Sequence, residues 1–260
     1  MIQIENIVLE RTSWHLPRFL LQPIIRLLHE REINDLLRSG SRLAPREFLH
    51  HVFRQLNLRS DVQFTSPLDP AQRYLFVANH PFGALDGMML ADMLLSLWDD
   101  VGVVVNDILM HIEPLRELWI PVCRGGRHNM VESEHYRSAF ASERQILTFP
   151  AGLCSRWERG RGTDLGWKPR FVRDAERYDR RIVPVYVDGE LSRRFYYIYR
   201  LRRALRISLN VELLLLVDEL FAQRGRRVRI VVGQPIDVGS LRGNTIDRCR
   251  AVREEVYSLK

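Results

Sequence analysis

The segment VANHPFGALDGMML, residues 77–90, joins two apolar runs through a turn that contains one histidine and one aspartate. Pro81 disfavours helical backbone angles at His80, so the imidazole is expected on a turn that directly follows a strand. Gly83 relieves crowding in that turn, and Asp86 stands where the next helix is expected to begin. Two interpretations compete: Asp86 orients His80 as a general base, or the two residues only form a turn and a helix cap.

Short apolar runs alternate with helical patterns along most of the chain. The runs typical of buried strands are RYLFVAN, VGVVVN, LWIPV, QILTFP, RIVPVYV and VRIVVG. This alternation predicts an α/β sandwich with a central, mainly parallel mixed sheet flanked by helices. We assign residues 1–70 to a helical N-terminal segment, a candidate for membrane association, and residues 71–260 to the α/β domain. Functional residues usually lie at the carboxyl ends of such strands, which is where His80 falls.

The composition is that of a folded, basic protein. Of 260 residues, 46% are hydrophobic and 27% are charged, which supports a sizeable core and argues against global disorder. The formal net charge is +7, and Lys168 and Lys260 are the only lysines, so nearly all cations are arginine. A basic surface favours anionic partners, namely phospholipid headgroups, phosphorylated substrates, acidic carrier proteins or nucleic acid.

The cysteines and the apolar runs indicate in which compartment the protein is expected. Cys123, Cys154 and Cys249 are odd in number and lack CxxC spacing, which argues against a disulfide framework or a zinc site and fits a reducing cytoplasm. The N-terminus lacks the pattern of a signal peptide, and no apolar run approaches the roughly 18 residues that span a bilayer. We therefore expect a protein without a metal site that is soluble or lies on a membrane surface.

Two amphipathic segments are candidates for membrane contact. GELSRRFYYIYRLRRALRISLNVELLLL, residues 189–216, interleaves aromatic residues with arginines. Such a segment can lie on a bilayer with its rings at the headgroup level, or it can form an ordinary helix with a solvated basic face. RFLLQPIIRLL, residues 18–28, is the second candidate, and both interpretations stay open for each segment.

Two further segments place small residues and prolines near strand ends. In LTFPAGLCSRWERGRG, residues 147–162, Gly152 allows backbone to approach a ligand, and Arg156 suits a phosphate or a developing oxyanion. In RIVPVYVDG, Pro184 marks another strand. In either segment these residues can equally serve only to end a strand and form a turn.

The order of four motifs along the chain is more specific than any one of them. NHPFGALDG, FPAGLCSR, IVPVYVDG and VRIVVGQPI follow one another between Tyr74 and Ile236. This series resembles the glycerolipid and lysophospholipid acyltransferase superfamily. It is most similar to the branch called hemolysin-type acyltransferases, which includes enzymes of ornithine-lipid and glycine-lipid synthesis.

The resemblance implies an activity and a set of site residues. An acyl group is expected to move from a thioester of acyl-carrier protein or coenzyme A to a lipid acceptor, without a metal or other cofactor. His80 corresponds to the catalytic histidine of the family and Asp86 to its aspartate. The residues that the resemblance places around the substrates are Asn79, Gly83, Phe149, Pro150, Gly152, Ser155, Arg156, Arg124 and Pro184.

Two departures from the family pattern concern the acceptor. Five residues separate His80 from Asp86 where the common motif has four, so that Leu85 occupies the usual aspartate position. The FPEGTRS block of the family reads FPAGLCS, with Cys154 in place of the arginine that is thought to bind the phosphate of glycerol phosphate. Arg156 is the candidate to replace that arginine or to bind a carboxylate instead.

The acceptor therefore has three possible classes at this point. One is a lysophospholipid such as 1-acylglycerol 3-phosphate, and the second is an amino acid or its lyso-lipid, which the missing arginine favours. The third is a basic module that binds membranes or nucleic acid without catalysis, for which no nucleic-acid-binding motif is present. For an enzyme with a lipid acceptor, we expect a cytoplasmic protein that is peripheral on the inner face of the cell membrane.

Overall fold

The computed structural model describes residues 29–122, 130–158, 160–205 and 215–260, and within them helices alternate with strands. The helices are α1 Glu30–Ser39, α2 Pro45–Gln55, α3 Ala84–Leu95, α4 Met130–Ala141, α5 Arg170–Arg177, α6 Arg193–Ala204, α7 Leu215–Ala222 and α8 Thr245–Ser258. The strands are β1 Arg59–Phe64, β2 Tyr74–Ala78, β3 Val101–Asn106, β4 Trp119–Val122, β5 Gln145–Thr148, β6 Arg156–Glu158, β7 Arg161–Thr163, β8 Arg181–Val187 and β9 Arg227–Val232.

Seven of these strands form one mixed sheet in the order β1-β9-β8-β2-β5-β3-β4. Neighbouring strands run parallel except β8 and β9, which pair antiparallel. Five strands, β2, β3, β4, β5 and β8, therefore end at the same side of the sheet, which we call the carboxyl edge. The strands β6 and β7 form a separate antiparallel hairpin. The predicted sandwich with a central, mainly parallel mixed sheet is confirmed.

Helices cover both faces of the sheet because successive residues of a strand point in opposite directions. Phe76 of β2 belongs to a hydrophobic cluster that includes residues of α2, α3 and α6. Leu75 and Val77 belong to a second cluster, with residues of α4, α5 and α8. The helix α3 is buried along most of its length, as its largely apolar sequence requires. Within the described ranges, no helix combines the length and the hydropathy needed to cross a bilayer.

The strand β1 corrects the prediction that residues 1–70 are helical. β1 has the sequence RSDVQF and pairs in parallel with β9 at the edge of the sheet. Its side chains are mostly exposed, so it lacks the apolar run by which the other strands of the sheet were identified. The described part of residues 1–70 thus contributes two helices and a strand. The amphipathic segment at residues 18–28 lies outside the described residues.

A buried arginine connects elements at the edge of the sheet opposite the carboxyl edge. Arg180 donates hydrogen bonds to the carbonyl oxygens of Ala139 (3.4 Å) and Phe140 (2.9 Å) in the last turn of α4. It also donates to the carbonyl oxygens of Tyr74 (3.1 Å) and Arg144 (2.7 Å), where β2 and β5 begin. The last carbonyls of a helix have no partner within the helix, and a cation there is favourable. Burial lowers the pKa of Arg180 to about 10, which still leaves it charged at neutral pH.

We expect Arg180→Met to lower the free energy of unfolding by roughly 2–4 kcal/mol, because several buried carbonyl groups lose their donor. Arg177→Met is the matched control, since Arg177 is exposed on α5. The control should change the free energy of unfolding by less than about 0.5 kcal/mol. Urea denaturation followed by circular dichroism measures both. Equal stability of the two variants would show that Arg180 does not hold these elements together.

Candidate active site

His80 and Asp86 lie together at the carboxyl edge of the sheet. Nδ1 of His80 is 2.9 Å from Oδ2 of Asp86; the Asp86 side chain is fully buried, and 16% of the His80 side chain is exposed. Because Nδ1 is itself buried, that exposure lies elsewhere on the side chain. The pair is in close contact, but the two atoms are not aligned as a hydrogen bond. A small rotation of the ring would let Nδ1 donate its proton to the carboxylate and leave Nε2 to accept one.

The carboxylate of Asp86 is also held by the backbone of the turn. Oδ2 accepts hydrogen bonds from the N–H groups of Phe82 (2.9 Å) and Gly83 (3.0 Å). Burial raises the pKa of Asp86, and the contacts with His80 and the two N–H groups oppose that rise. A buried anion of this kind stabilises a positive charge on the neighbouring imidazole. The pair is therefore suited to a base that becomes an imidazolium during a reaction.

The turn accommodates the five residues between His80 and Asp86. Gly83 is the N-cap of α3 and has a φ of 82°, a value that residues with a side chain rarely adopt. Asp86 lies in the first turn of α3, from which its carboxylate reaches back to the N-cap amide. Leu85, which replaces the usual aspartate, is buried in the core. Asp86 thus both caps the helix and contacts His80, so the two interpretations of the sequence are compatible.

Phe149 supports the ring of His80. The two ring centroids are 4.1 Å apart, and the ring planes differ by 29°. Phe149 follows β5, which lies beside β2 in the sheet. The turn after it closes through a hydrogen bond from the N–H of Gly152 to the carbonyl of Phe149 (2.9 Å), so this N–H is not directed at a ligand. Pro150 is buried in that turn, and its carbonyl accepts from the N–H of Lys168 (3.1 Å).

A second buried aspartate, Asp164, positions the backbone of His80 and was not identified from the sequence. Its Oδ1 accepts hydrogen bonds from the N–H of His80 (3.1 Å) and from the hydroxyl of Ser155 (2.7 Å). Its Oδ2 accepts from the indole N–H of Trp167 (2.8 Å). The N–H of Ser155 in turn donates to the carbonyl of His80 (2.7 Å). Ser155 is buried and acts with Asp164 to hold His80; its predicted contact with a substrate stays a prediction.

Arg156, predicted to bind a substrate group, is buried in the structure. Its side chain is only 1% exposed. One guanidinium nitrogen, Nη1, donates to the carbonyl of Cys154 (2.7 Å) and lies 2.9 Å from its Sγ. The guanidinium packs over the rings of Phe195 and Tyr199 of α6, at 5.2 and 4.9 Å from their centroids. Arg156 thus joins α6 to the segment after β5.

Asn79 and Pro184 have structural positions as well. The side-chain amide of Asn79 donates to the carbonyl of Val187 (2.8 Å) and accepts from its N–H (2.7 Å), so Val187 engages both ends of the amide. Pro184 lies inside β8, and its carbonyl accepts from the N–H of Gly233 (2.8 Å). Both residues shape the sheet next to His80, and their predicted contact with a substrate stays a prediction. Arg124 lies outside the described residues.

The ring of Phe82, in the turn before α3, packs where Gly189 lacks a side chain. A Cβ atom at Gly189 would lie 1.9 Å from Cζ of Phe82, so the ring occupies the place of a side chain. The ring is buried, and the guanidinium of Arg226 lies 5.4 Å from its centroid. Because the N–H of Phe82 binds Asp86, the position of this ring also sets the position of the carboxylate.

The cysteine beside the site is poorly suited to act as a nucleophile at neutral pH. Cys154 is buried, and burial raises the pKa of its thiol to about 11. A protonated, buried thiol reacts poorly, and the hydroxyl of Ser155 is bound to Asp164. Within the described residues, no group of three or more His, Cys, Asp or Glu side chains is arranged to hold a metal ion. The chemistry that these side chains offer is that of a general base with an orienting carboxylate.

Similarity to known proteins extends over nearly the whole chain. The family model described as acyltransferase matches residues 8–260. A lyso-glycine lipid O-acyltransferase of Phocaeicola vulgatus is 31% identical over 240 residues, which are 91% of this chain and 86% of the relative. A lyso-glycine lipid O-acyltransferase of Bacteroides thetaiotaomicron is 32% identical over 223 residues, which are 85% of this chain and 82% of the relative. The crystal structure of the 1-acyl-sn-glycerophosphate acyltransferase of Thermotoga maritima matches with a TM-score of 0.45 and 17% identity, over 97% of this chain and 86% of that one.

We expect Gly189→Ala to destabilise the protein by about 1–3 kcal/mol, because the added methyl group overlaps the ring of Phe82. Gly166→Ala is the matched control, since a Cβ at Gly166 would meet no atom within 4 Å. Chemical denaturation compares the two variants. If Gly189→Ala is as stable as Gly166→Ala, the packing of Phe82 against Gly189 does not constrain the turn.

Proposed function

We propose that this chain, which belongs to the acyltransferase family, moves a fatty acyl group from a thioester to the hydroxyl group of a lyso-amino-acid lipid. The observation that carries the proposal is the contact of 2.9 Å between His80 and the buried carboxylate of Asp86. The family and the two curated relatives establish that the chain is an acyltransferase of lipid synthesis. The donor, the acceptor and the roles of the two residues are our proposal.

In the proposed reaction, the hydroxyl oxygen of the acceptor attacks the carbonyl carbon of the thioester while Nε2 of His80 takes the hydroxyl proton. Asp86 stabilises the imidazolium that results. The tetrahedral intermediate then collapses, the carbon–sulfur bond breaks, and the imidazolium returns its proton to the departing thiolate. Direct transfer of this kind agrees with the protonated thiol of Cys154 and the bound hydroxyl of Ser155.

The residues after β5 support an acceptor that lacks a glycerol-phosphate group. Cys154, which replaces the phosphate-binding arginine of the family pattern, is buried. The next arginine, Arg156, is covered by Phe195 and Tyr199. Both curated relatives are named for O-acylation of a lyso-glycine lipid. We therefore prefer a lyso-amino-acid lipid to a lysophospholipid as the acceptor.

The proposed donors are the thioesters of acyl-carrier protein and of coenzyme A, and the reaction needs no further cofactor. We place the enzyme on the inner face of the cell membrane as a peripheral protein. Acceptor and product are amphiphilic in this reaction, so an enzyme at the membrane surface reaches them where they partition. The net charge of +7 favours such a surface when it carries anionic lipids.

We expect His80→Ala to lower kcat by about 10²–10⁴-fold, since the reaction loses its general base. Asp86→Asn should lower kcat similarly, because an amide keeps an acceptor for the two backbone N–H groups but does not stabilise the imidazolium. Asp86→Ala should lose activity and also cost about 1–3 kcal/mol of stability, since buried N–H groups lose their acceptor. Acyl transfer from a radiolabelled thioester and thermal unfolding are the two measurements. Full activity in folded His80→Ala would refute the proposed role of His80.

Expression in a host without amino-acid lipids tests the acceptor class. When lyso-glycine lipid is supplied, we expect mass spectrometry of the lipid extract to show a product that is heavier by one acyl chain. That chain should be released by mild alkali, because an ester is cleaved there and an amide is not. The His80→Ala variant in the same host is the control. Restored growth of a phosphatidate-deficient strain without any new amino-acid lipid would favour a lysophospholipid acceptor instead.

A further inference from the structure

We infer that the exposed face of α6 docks on an anionic lipid surface. The inference rests on the proposed function, in which the acceptor resides in a membrane, and it names the part of the protein that reaches that membrane. The sequence of α6 is RRFYYIYRLRRA, which contains five arginines and no acidic residue. Its aromatic and aliphatic residues divide between a buried face and an exposed one.

Three large apolar side chains form a stripe along the exposed face. Tyr197, Leu201 and Leu205, the residue that caps the helix, are 66%, 44% and 61% exposed. Their spacing of four residues places them on the same side of the helix. The other exposed large apolar side chains of the described residues lie apart on different elements: Phe64, Leu97 and Ile246. A contiguous apolar stripe bordered by polar groups marks a contact surface more often than isolated exposed residues do.

The charge around the stripe is positive. The helix itself carries five arginines and no acidic residue. Among the described residues around it, Asp218 forms an ion pair with Arg194, Glu158 lies near Arg203, and the buried Glu219 binds Ser192 at the start of the helix. The helix surface therefore keeps an excess of positive charge. Such a surface complements the phosphates of anionic headgroups, which attract arginines close to the bilayer.

The opposite face of α6 is attached to the segment that positions His80. Phe195 and Tyr199 are buried and lie against the guanidinium of Arg156. The neighbouring residue, Ser155, donates its N–H to the carbonyl of His80. A bilayer bound to the exposed face is thus separated from this segment by about one helix diameter, roughly 10 Å. Docking there would bring the base close to lipids at the surface.

A lipid surface fits this face better than an acidic protein does. The stripe is convex and one helix wide, and arginines border it. On a bilayer, the three apolar side chains enter the interface while the guanidinium groups reach the phosphates. An acidic protein such as acyl-carrier protein would satisfy the arginines but would leave the apolar stripe in water unless it also offered a groove.

Vesicle sedimentation with the full chain tests the inference. Wild type should bind vesicles of phosphatidylglycerol and phosphatidylcholine, and it should bind phosphatidylcholine alone more weakly, because the arginines then lack anionic lipids. The double variant Tyr197→Glu/Leu201→Glu should bind the anionic vesicles at least about tenfold more weakly, since two apolar side chains no longer enter the interface. Ile246→Glu is the matched control, because Ile246 is 63% exposed on α8, and it should bind like wild type.

A second pair of variants tests the charge. Arg193→Gln/Arg200→Gln should weaken binding to the anionic vesicles and reduce its dependence on salt, whereas Arg250→Gln, an exposed arginine of α8, should not. Circular dichroism verifies that each variant is folded. Unchanged vesicle binding by both double variants would overturn the inference. Loss of binding to acyl-carrier protein with vesicle binding intact would also overturn it and would assign the face to that protein.

The outcome is separable from that of the proposed function. If wild type binds vesicles through this face but transfers no acyl group, the proposed function fails and the docking face stands. If the double variants transfer acyl groups to a lipid in vesicles as fast as wild type does, the docking face fails and the proposed function stands. With a detergent-dispersed acceptor, the variants should keep wild-type rates, because they leave His80 and its contacts unchanged.

Discussion

The buried carboxylate of Asp86 is the constraint on which the rest of the site depends. A buried carboxylate needs polar partners, and Asp86 has two backbone N–H groups that donate to it and the ring of His80 in close contact. Those N–H groups converge only if the chain turns sharply, which the positive φ of Gly83 allows. The turn also needs room for the ring of Phe82, and Gly189 provides it from the end of β8. The contacts of Asp86 thus link the conformation of the turn before α3 to that of the segment after β8.

His80 is positioned from several directions by groups that do not react. Asp86 holds one edge of the ring, Phe149 covers a face, and Asp164 and Ser155 hold the backbone. These residues come from α3, from the end of β5 and from the segment that includes the β6–β7 hairpin, and the parallel pairing of β2 with β5 brings them to His80. The imidazole is therefore fixed in the free protein, and if it acts as the proposed base this lowers the cost of orienting it when a substrate binds.

Much of the fold could be predicted from the sequence, because buried strands leave apolar runs. The strand β1 leaves none, since it lies at an edge and exposes most of its side chains. His80 and Asp86 could be identified because they are close in sequence and follow a strand. Asp164 reaches His80 only through the chain's return after a hairpin, and no local pattern signals that path. The burial of Arg156 could not be predicted for the same reason: the rings that cover it come from α6, about forty residues later.

The bonds of Arg180 have a consequence for how the molecule opens. One guanidinium bridges the end of α4 and the starts of β2 and β5, so these three elements cannot separate without breaking the same set of hydrogen bonds. Local unfolding of any one of them should therefore merge with that of the other two, and their amides should exchange with solvent as one cooperative unit. The carboxyl edge lies at the far end of the same strands. Loops and helices around His80 can then move while the opposite end of the sheet stays closed.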